Sequence, residues 1–373
     1  MSVRDRPLPT VLEPRGRTIG EEERAAVLRV LDSAVLCGTF GGEVPALQRE
    51  MAELYGPAHA VACSSGTASL HLAVAAAGIE PGDEVITTPI SDFGTVAPIL
   101  AEGGRPVFAD VLPDDGNLDP AAVAAAITPR TKAVLAVHLF GAAARVAELR
   151  ELCDRHGLVL IEDCAQAWLG EDGAGRLLGT YGDIACFSLQ QYKHITAGDG
   201  GLALTDDPEL ARRMRLFADK GWDRTEGRIH RVPGLNYRMP ELTAAVARAQ
   251  LGKVTEVVRV RRERAARLTA ALAGAAGVRT APRPAGHAWW LYPLLVDDNA
   301  RWAKALTAAG VPAAAGYLER PLYANPVFTG YPEGLCPQAE RLIGRTMVVL
   351  DWNEGYTPDD VDDIARAVLA ASA

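Results

Sequence analysis

Over residues 58–205, short runs rich in β-branched and apolar residues alternate with stretches of helical pattern, which restricts the chain to an α/β layer on a mostly parallel sheet. Candidate strands are 59–63, 84–88, 106–109, 132–137, 158–162, 184–188 and 202–205, with helices expected at 67–77, 94–101, 120–127 and 146–156. Most of these helices are followed by a turn signal such as Pro81-Gly82-Asp83 or Glu102-Gly103-Gly104. Beyond them, a long alanine- and arginine-rich helix is expected over 239–273, bridging two domains. A strand at 290–296, a helix at 300–309, a loop over 316–331 and a last helix at 359–371 complete the chain. A chain of 373 residues exceeds what one core usually organises. The expected division is an arm over 1–20, a large α/β domain over 21–250 and a small α+β domain over 251–373.

Composition narrows the function classes. Hydrophobic residues at 49% and charged residues at 23% place the chain with folded globular proteins, away from disorder. A net charge of -9 supplies no cationic field, which argues against nucleic acid and against an anionic membrane surface as partners. The start carries no apolar signal core, and no stretch approaches the roughly 20 apolar residues of a spanning helix, so a cytoplasmic location is expected. Six scattered cysteines without CxxC spacing argue against disulfides and against a metal site.

Ligands of open α/β sheets sit just past the carboxyl ends of strands, and three such points carry chemistry here. At Ser64-Ser65-Gly66-Thr67-Ala68 a strand ends and an apolar helix begins. Its free N–H groups and positive end suit an anion, with the Ser65 and Thr67 hydroxyls as further donors, although serine and threonine before a helix also act as plain caps. Asp163, in Ile161-Glu162-Asp163-Cys164-Ala165-Gln166, follows a run of apolar strand residues. A carboxylate placed there either finds a cation, such as a pyridinium nitrogen, or caps the next turn. Lys193 stands between a buried strand and the glycine-rich turn Gly198-Asp199-Gly200-Gly201. A desolvated lysine amine has a lowered pKa and condenses with a carbonyl compound, whereas most lysines are solvated surface charges. A phosphate, a basic ring nitrogen and an aldehyde on one ligand describe pyridoxal 5'-phosphate.

These residues belong to an ordered series that resembles the DegT/StrS family of pyridoxal-phosphate sugar aminotransferases along nearly the whole chain. The series includes Ser65-Gly66-Thr67-Ala68, Pro81-Gly82-Asp83-Glu84-Val85-Ile86, His138-Leu139-Phe140-Gly141, Glu162-Asp163-Cys164-Ala165-Gln166, Gly182-Asp183-Ile184-Ala185-Cys186-Phe187-Ser188, the lysine segment and Asn236-Tyr237-Arg238-Met239. The resemblance implies a fold-type I architecture, a large domain with a mostly parallel mixed sheet plus a smaller α+β C-terminal domain, in a homodimer with shared active sites. It implies Lys193 as the Schiff-base lysine, Asp163 as the acid on the pyridine nitrogen and Gln166 near the ring hydroxyl. Ser65, Gly66, Thr67 and Ser188 fall at the phosphate-binding turn and strand end, Phe93 falls where a ring covers the cofactor, and Asn236 reaches the phosphate of the neighbouring subunit's cofactor.

Some relatives that remove a sugar hydroxyl carry histidine in place of this lysine; Lys193 therefore favours transamination, with His194 a structural neighbour. Phe187-Ser188-Leu189-Gln190-Gln191 looks more like members acting on keto-cyclitols than those acting on nucleotide-linked keto sugars. Tyr317 and Arg320 lie in a loop that lines the substrate in relatives, and Arg238 and Arg320 are candidates for the donor carboxylate. The expected function is transfer of an amino group from L-glutamine or L-glutamate to a ketone on a cyclitol or sugar. A nucleotide-sugar aminotransferase, a dehydratase and a non-catalytic binding protein of the same fold are the rivals.

Overall fold

The computed structural model describes residues 7–227, 229–280, 282 and 285–372. Seven strands, β1 His59–Cys63, β2 Glu84–Thr87, β3 Arg105–Phe108, β4 Thr131–Val137, β5 Val159–Asp163, β6 Ile184–Ser188 and β7 Gly201–Thr205, form one sheet in the order β1-β7-β6-β5-β4-β2-β3. Strands β2 to β6 pair in parallel, and β7 runs antiparallel to both its neighbours. Because β7 is reversed, β1 points the same way as the central strands. The chain thus leaves β1, β4, β5 and β6 at one edge of the sheet, where ligands of such sheets bind.

Both faces of the sheet are covered. Along β4, Ala133, Leu135 and Val137 enter one core cluster while Val134 and Ala136 enter the other. An unbroken apolar strand is the sequence pattern that two-sided burial produces. Helices Glu21–Ser33, Glu43–Tyr55 and Pro208–Ala218 join these layers and lie outside the alternation read from the sequence. The helix expected at 94–101 divides into a 3-10 turn Phe93–Thr95 and a helix Ala97–Ala101. Pro98 has no N–H with which to continue an earlier turn, so a helix can only restart around it.

The long helix expected over 239–273 is also two helices, Glu241–Leu251 and Val254–Ala271, broken at Gly252-Lys253. Glycine is a poor helix former, and Lys253 Nζ is drawn to the Thr18 carbonyl at 2.8 Å and the Glu23 carboxylate at 2.8 Å. Helix Val254–Ala271 places Val254 and Val258 in the core of the large sheet and Ala265 and Leu268 in a second core. That second core lies under an antiparallel sheet. After a two-stranded ribbon (β8 Trp222–Asp223, β9 Ile229–His230), strands β10 Arg279–Thr280, β11 Tyr292–Leu295, β12 Ala313–Ala315 and β13 Met347–Leu350 form it in the order β10-β11-β13-β12. Leu8 of the amino-terminal segment is buried in the same core. Among the described residues, no helix is long and apolar enough to cross a membrane.

Candidate active site

A cavity of about 410 Å³ opens at the carboxyl edge of the large sheet. Lys193 reaches it from the loop that joins β6 to β7. That loop is closed by backbone bonds from Leu189 N–H to Gly200 (2.8 Å) and from Gln191 N–H to Gly198 (2.9 Å). Lys193 N–H itself donates to the Gln190 carbonyl at 2.9 Å. The amine is buried, with Nζ 4.1 Å from the centre of the Trp290 ring. Burial lowers the pKa of Lys193, against the opposing pull of Asp163 and Asp92.

Asp163 ends β5, on the strand adjacent to β6, and is buried. Its Oδ1 accepts from Ala165 N–H at 3.1 Å and its Oδ2 from the Thr95 hydroxyl at 3.1 Å. Burial raises its pKa, and the Ala165 N–H and Lys193 only partly offset this. Directly before it, Glu162 is also fully buried yet sits low: the His138 ring and backbone N–H groups of Gly182 and Gly179 outweigh the effect of burial. His138 Nδ1 accepts from Ala144 N–H, so Nε2 carries the hydrogen donated to Glu162 at 3.0 Å. His138, Glu162 and Cys164 are close enough to hold a metal, but Glu162 already accepts from Gly179, Tyr181 and Gly182 N–H groups.

The third point is the start of helix Gly66–Ala76. Ser65 is its N-cap, with Oγ accepting from Ala68 N–H at 3.0 Å. Gly66 lies so close to β6 that a Cβ on it would meet Ser188 Cβ at 2.6 Å and Ser188 Oγ at 2.8 Å. The absence of that carbon keeps the helix N-terminus and the Ser188 hydroxyl on one side of the cavity.

Ser65, Gly66, Thr67, Asp163, Gln166, Ser188, Lys193 and Tyr317 all line this cavity. Gln166 is buried and turns Oε1 to Phe140 N–H at 2.7 Å. Burial, then Asp92 and Asp163, raise the pKa of the Tyr317 hydroxyl. Four of the expected residues lie elsewhere. Phe93 is 39% exposed and packs against Phe328, Asn236 and Arg320 are exposed, and Arg238 pairs with Asp219 in a separate cavity beside Arg224. His194 is buried outside the cavity lining, its Nε2 donating to the Ala288 carbonyl at 2.9 Å. Sequence reading missed Thr95, Asp199, Trp290 and Asp351, which line the cavity. Asp351 directly follows β13, the same placement that singled out Asp163, whereas nothing in the sequence signals Trp290.

The profile of the DegT/DnrJ/EryC1/StrS aminotransferase family matches residues 17–369. The chain belongs to that family. It is 37% identical to the L-glutamine:2-deoxy-scyllo-inosose aminotransferase of Streptomyces kanamyceticus, over 93% of this chain and 86% of that enzyme. It is also 37% identical to the dTDP-3-amino-3,4,6-trideoxy-alpha-D-glucose transaminase of Streptomyces venezuelae, over 86% and 84%. The crystal structure of S. venezuelae DesV in complex with a ketimine intermediate matches with a TM-score of 0.88 at 34% identity, covering 94% of both chains. As a DegT/DnrJ/EryC1/StrS aminotransferase the protein is a pyridoxal-phosphate-dependent sugar transaminase with an α/β fold of type I. Its residues fit that cofactor: an open helix N-terminus beside Ser188 for a phosphate, a buried carboxylate in need of a cation, and a buried amine for an aldehyde.

Proposed function

We propose that this transaminase moves the amino group of L-glutamine or L-glutamate to a ketone on a cyclitol, in amino-sugar or aminoglycoside biosynthesis in the cytoplasm, and that two copies share their sites. The observation that carries the reading is the charge of the cavity wall. Lys193 is the one cation among the described lining residues, against Asp92, Asp163, Asp199 and Asp351. Hydroxyls of a neutral polyol donate to such a wall, while a diphosphate adds like charge to it. The Streptomyces kanamyceticus relative is named for a ketone of the first kind and for L-glutamine.

Pyridoxal 5'-phosphate, when bound, supplies an aldehyde that carries the amino group and a ring that takes up the electrons left when a proton leaves carbon. Ser65, Gly66, Thr67 and Ser188 hold the phosphate at the positive end of their helix. Asp163 would face the ring nitrogen and favour its protonated form, since a cation there would stabilise the buried carboxylate. Gln166 would face the ring hydroxyl, and Phe93, between the lining residues Asp92 and Gly94, would cover the ring by turning inward from Phe328. Lys193 would hold the cofactor through Nζ, and the depressed pKa of that amine keeps more of it neutral, able to accept and return a proton at Nζ. Tyr317 lines the substrate side of the cavity, while Arg320, exposed three residues on in the same loop, would reach the substrate from outside it. Asn236 and Arg238, which lie outside the cavity of their own chain, serve the neighbouring copy, Asn236 at the phosphate and Arg238 at the donor carboxylate.

A nucleotide-linked keto sugar is the second reading, favoured by the equal identity to the Streptomyces venezuelae dTDP-sugar transaminase. Presenting 2-deoxy-scyllo-inosose and a dTDP-linked keto sugar side by side with L-glutamine separates the two. A kcat/KM at least ~100-fold higher for the cyclitol, about 2.7 kcal/mol, is expected; the reverse order overturns the choice of ketone.

A further inference from the structure

Outside the cavity, three charged side chains are buried together behind the catalytic lysine. Arg17, from the amino-terminal segment, is 8% exposed, and its Nη1 donates to the backbone carbonyl of Lys193 at 2.7 Å. The same nitrogen lies 3.6 Å from Glu354 Oε1. Glu354 Oε2 in turn accepts from Arg261 Nε at 3.0 Å and Nη2 at 2.7 Å. Arg261, fully buried, spends Nη1 on the carbonyls of Trp289 (3.1 Å), Trp290 (3.1 Å) and Trp352 (2.8 Å). Trp290 is the residue whose ring faces Lys193 Nζ, and its Nε1 donates to the Tyr192 carbonyl at 2.6 Å. The backbone of Lys193 and the aromatic face that meets its amine are therefore both tied to one Arg-Glu-Arg cluster, drawn from segments far apart in sequence.

The segment that delivers Arg17 is docked, not trailing. Asn353 Nδ2 donates to the Pro9 carbonyl at 2.8 Å and Gln191 Nε2 to the Val11 carbonyl at 2.7 Å. A Cβ on Gly355 would lie 2.2 Å from the Arg15 carbonyl oxygen, so the backbones meet there without an intervening side chain. Burying two guanidiniums against one carboxylate is a poor source of stability, because desolvation offsets most of the attraction. Burial, joined by the nearby Arg261 charge, lowers the Arg17 pKa to about 10, with Glu354 only partly opposing it. Such a cluster makes sense where it specifies a position.

We propose that Arg17 is a positioning residue: held by Glu354, it fixes the carbonyl of Lys193 and so keeps Nζ aimed into the cavity. The proposal rests on the assignment of Lys193 as the residue that attaches the cofactor. Small misplacements of a reacting group cost about 100-fold in rate. Wild type, Arg17→Gln, Glu354→Gln and Asn353→Ala, each loaded with pyridoxal 5'-phosphate, are compared in total bound cofactor, Tm, kcat and rate of attachment. Attachment is read by borohydride pulses, in which hydride adds to the aldehyde carbon that Nζ has joined with loss of water, followed by mass spectrometry of the Lys193 peptide. Asn353→Ala loosens the segment while leaving the donors of Arg17 in place.

Arg17→Gln is expected to keep bound cofactor within twofold of wild type while attachment rate and kcat fall tenfold or more. Glu354→Gln is expected to lie between it and wild type. Asn353→Ala, at an equal or larger loss of Tm, is expected to keep both rates within threefold. Rates within threefold of wild type in Arg17→Gln overturn the proposal, as does an equal loss in Asn353→Ala at the same Tm. If Arg17→Gln does not fold, Arg17→Met, which keeps a buried stem and supplies no donor, is judged by the same thresholds. A wild-type protein with no adduct on Lys193 would defeat the assignment of that lysine, and the kcat comparison would still decide the role of Arg17.

Discussion

Asp163 holds a carboxylate where a carboxylate is unfavourable, and in the proposed reading that penalty is what would favour a cation beside it. Burial raises its pKa from the ordinary carboxylate value. In the cofactor-free chain the penalty is full at pH values above that raised pKa and is relieved as pH falls through it. Asp163→Asn removes it, so the cofactor-free variant should gain about 2 °C in Tm at pH 7, with the gain fading toward about pH 4. The same change should weaken cofactor retention and lower kcat by about 100-fold or more. Thermal scans of both forms across pH test the sign, and a cofactor-free variant less stable than wild type at pH 7 would contradict it. At this scale the sequence exposed the residues but left their roles open. Asp163 was a cap or a cation's partner, and it both accepts from Ala165 N–H and lines the cavity. Ser65 likewise caps its helix and lines the same cavity.

The helix Gly66–Ala76 is the element on which the phosphate reading stands, because its first residue approaches β6 without a side chain. In Gly66→Ala the new Cβ would lie 2.6 Å from Ser188 Cβ, and the helix start must move away from the strand. Overpacking of this kind costs about 1–3 kcal/mol. The larger expected effect is on cofactor affinity, a loss of tenfold or more in a fluorescence titration; an unchanged Kd would remove the helix N-terminus from the site. Elements in the large sheet were legible because unbroken apolar runs between turn signals mark strands buried on both faces. Helix Glu43–Tyr55 carries Val44, Leu47, Met51 and Tyr55 on one buried face, a legible period that lay outside the alternating region. The division at Gly252-Lys253 was less legible, since Lys253 is held by Thr18 and Glu23 from a distant helix start.

For the whole molecule, the exposed apolar side chains bear on assembly. Leu28 (56%), Leu31 (50%), Leu36 (48%) and Phe40 (76%) are exposed within one short stretch of the sequence, and large apolar side chains left in water are candidates for cover by a second copy. If a second copy covers them and lends Asn236, then Lys193→Ala and Asn236→Ala variants, each inactive alone, should recover activity on mixing and reassembly. One site in four would be intact, so about a quarter of wild-type activity is expected; no recovery would mean that each chain builds its own site. Phe40→Asp should shift sedimentation toward the monomer and lower activity with it. By itself the sequence determined the strand-end setting of Lys193, Asp163 and Ser65-Gly66-Thr67, because these are local signals that short-range pattern carries. Only the tertiary structure decided which distant groups complete the setting. Trp290 over the amine, Thr95 on Asp163 and Arg17 behind Lys193 meet the site through packing between segments far apart in the chain, and no spacing in a sequence records such contacts.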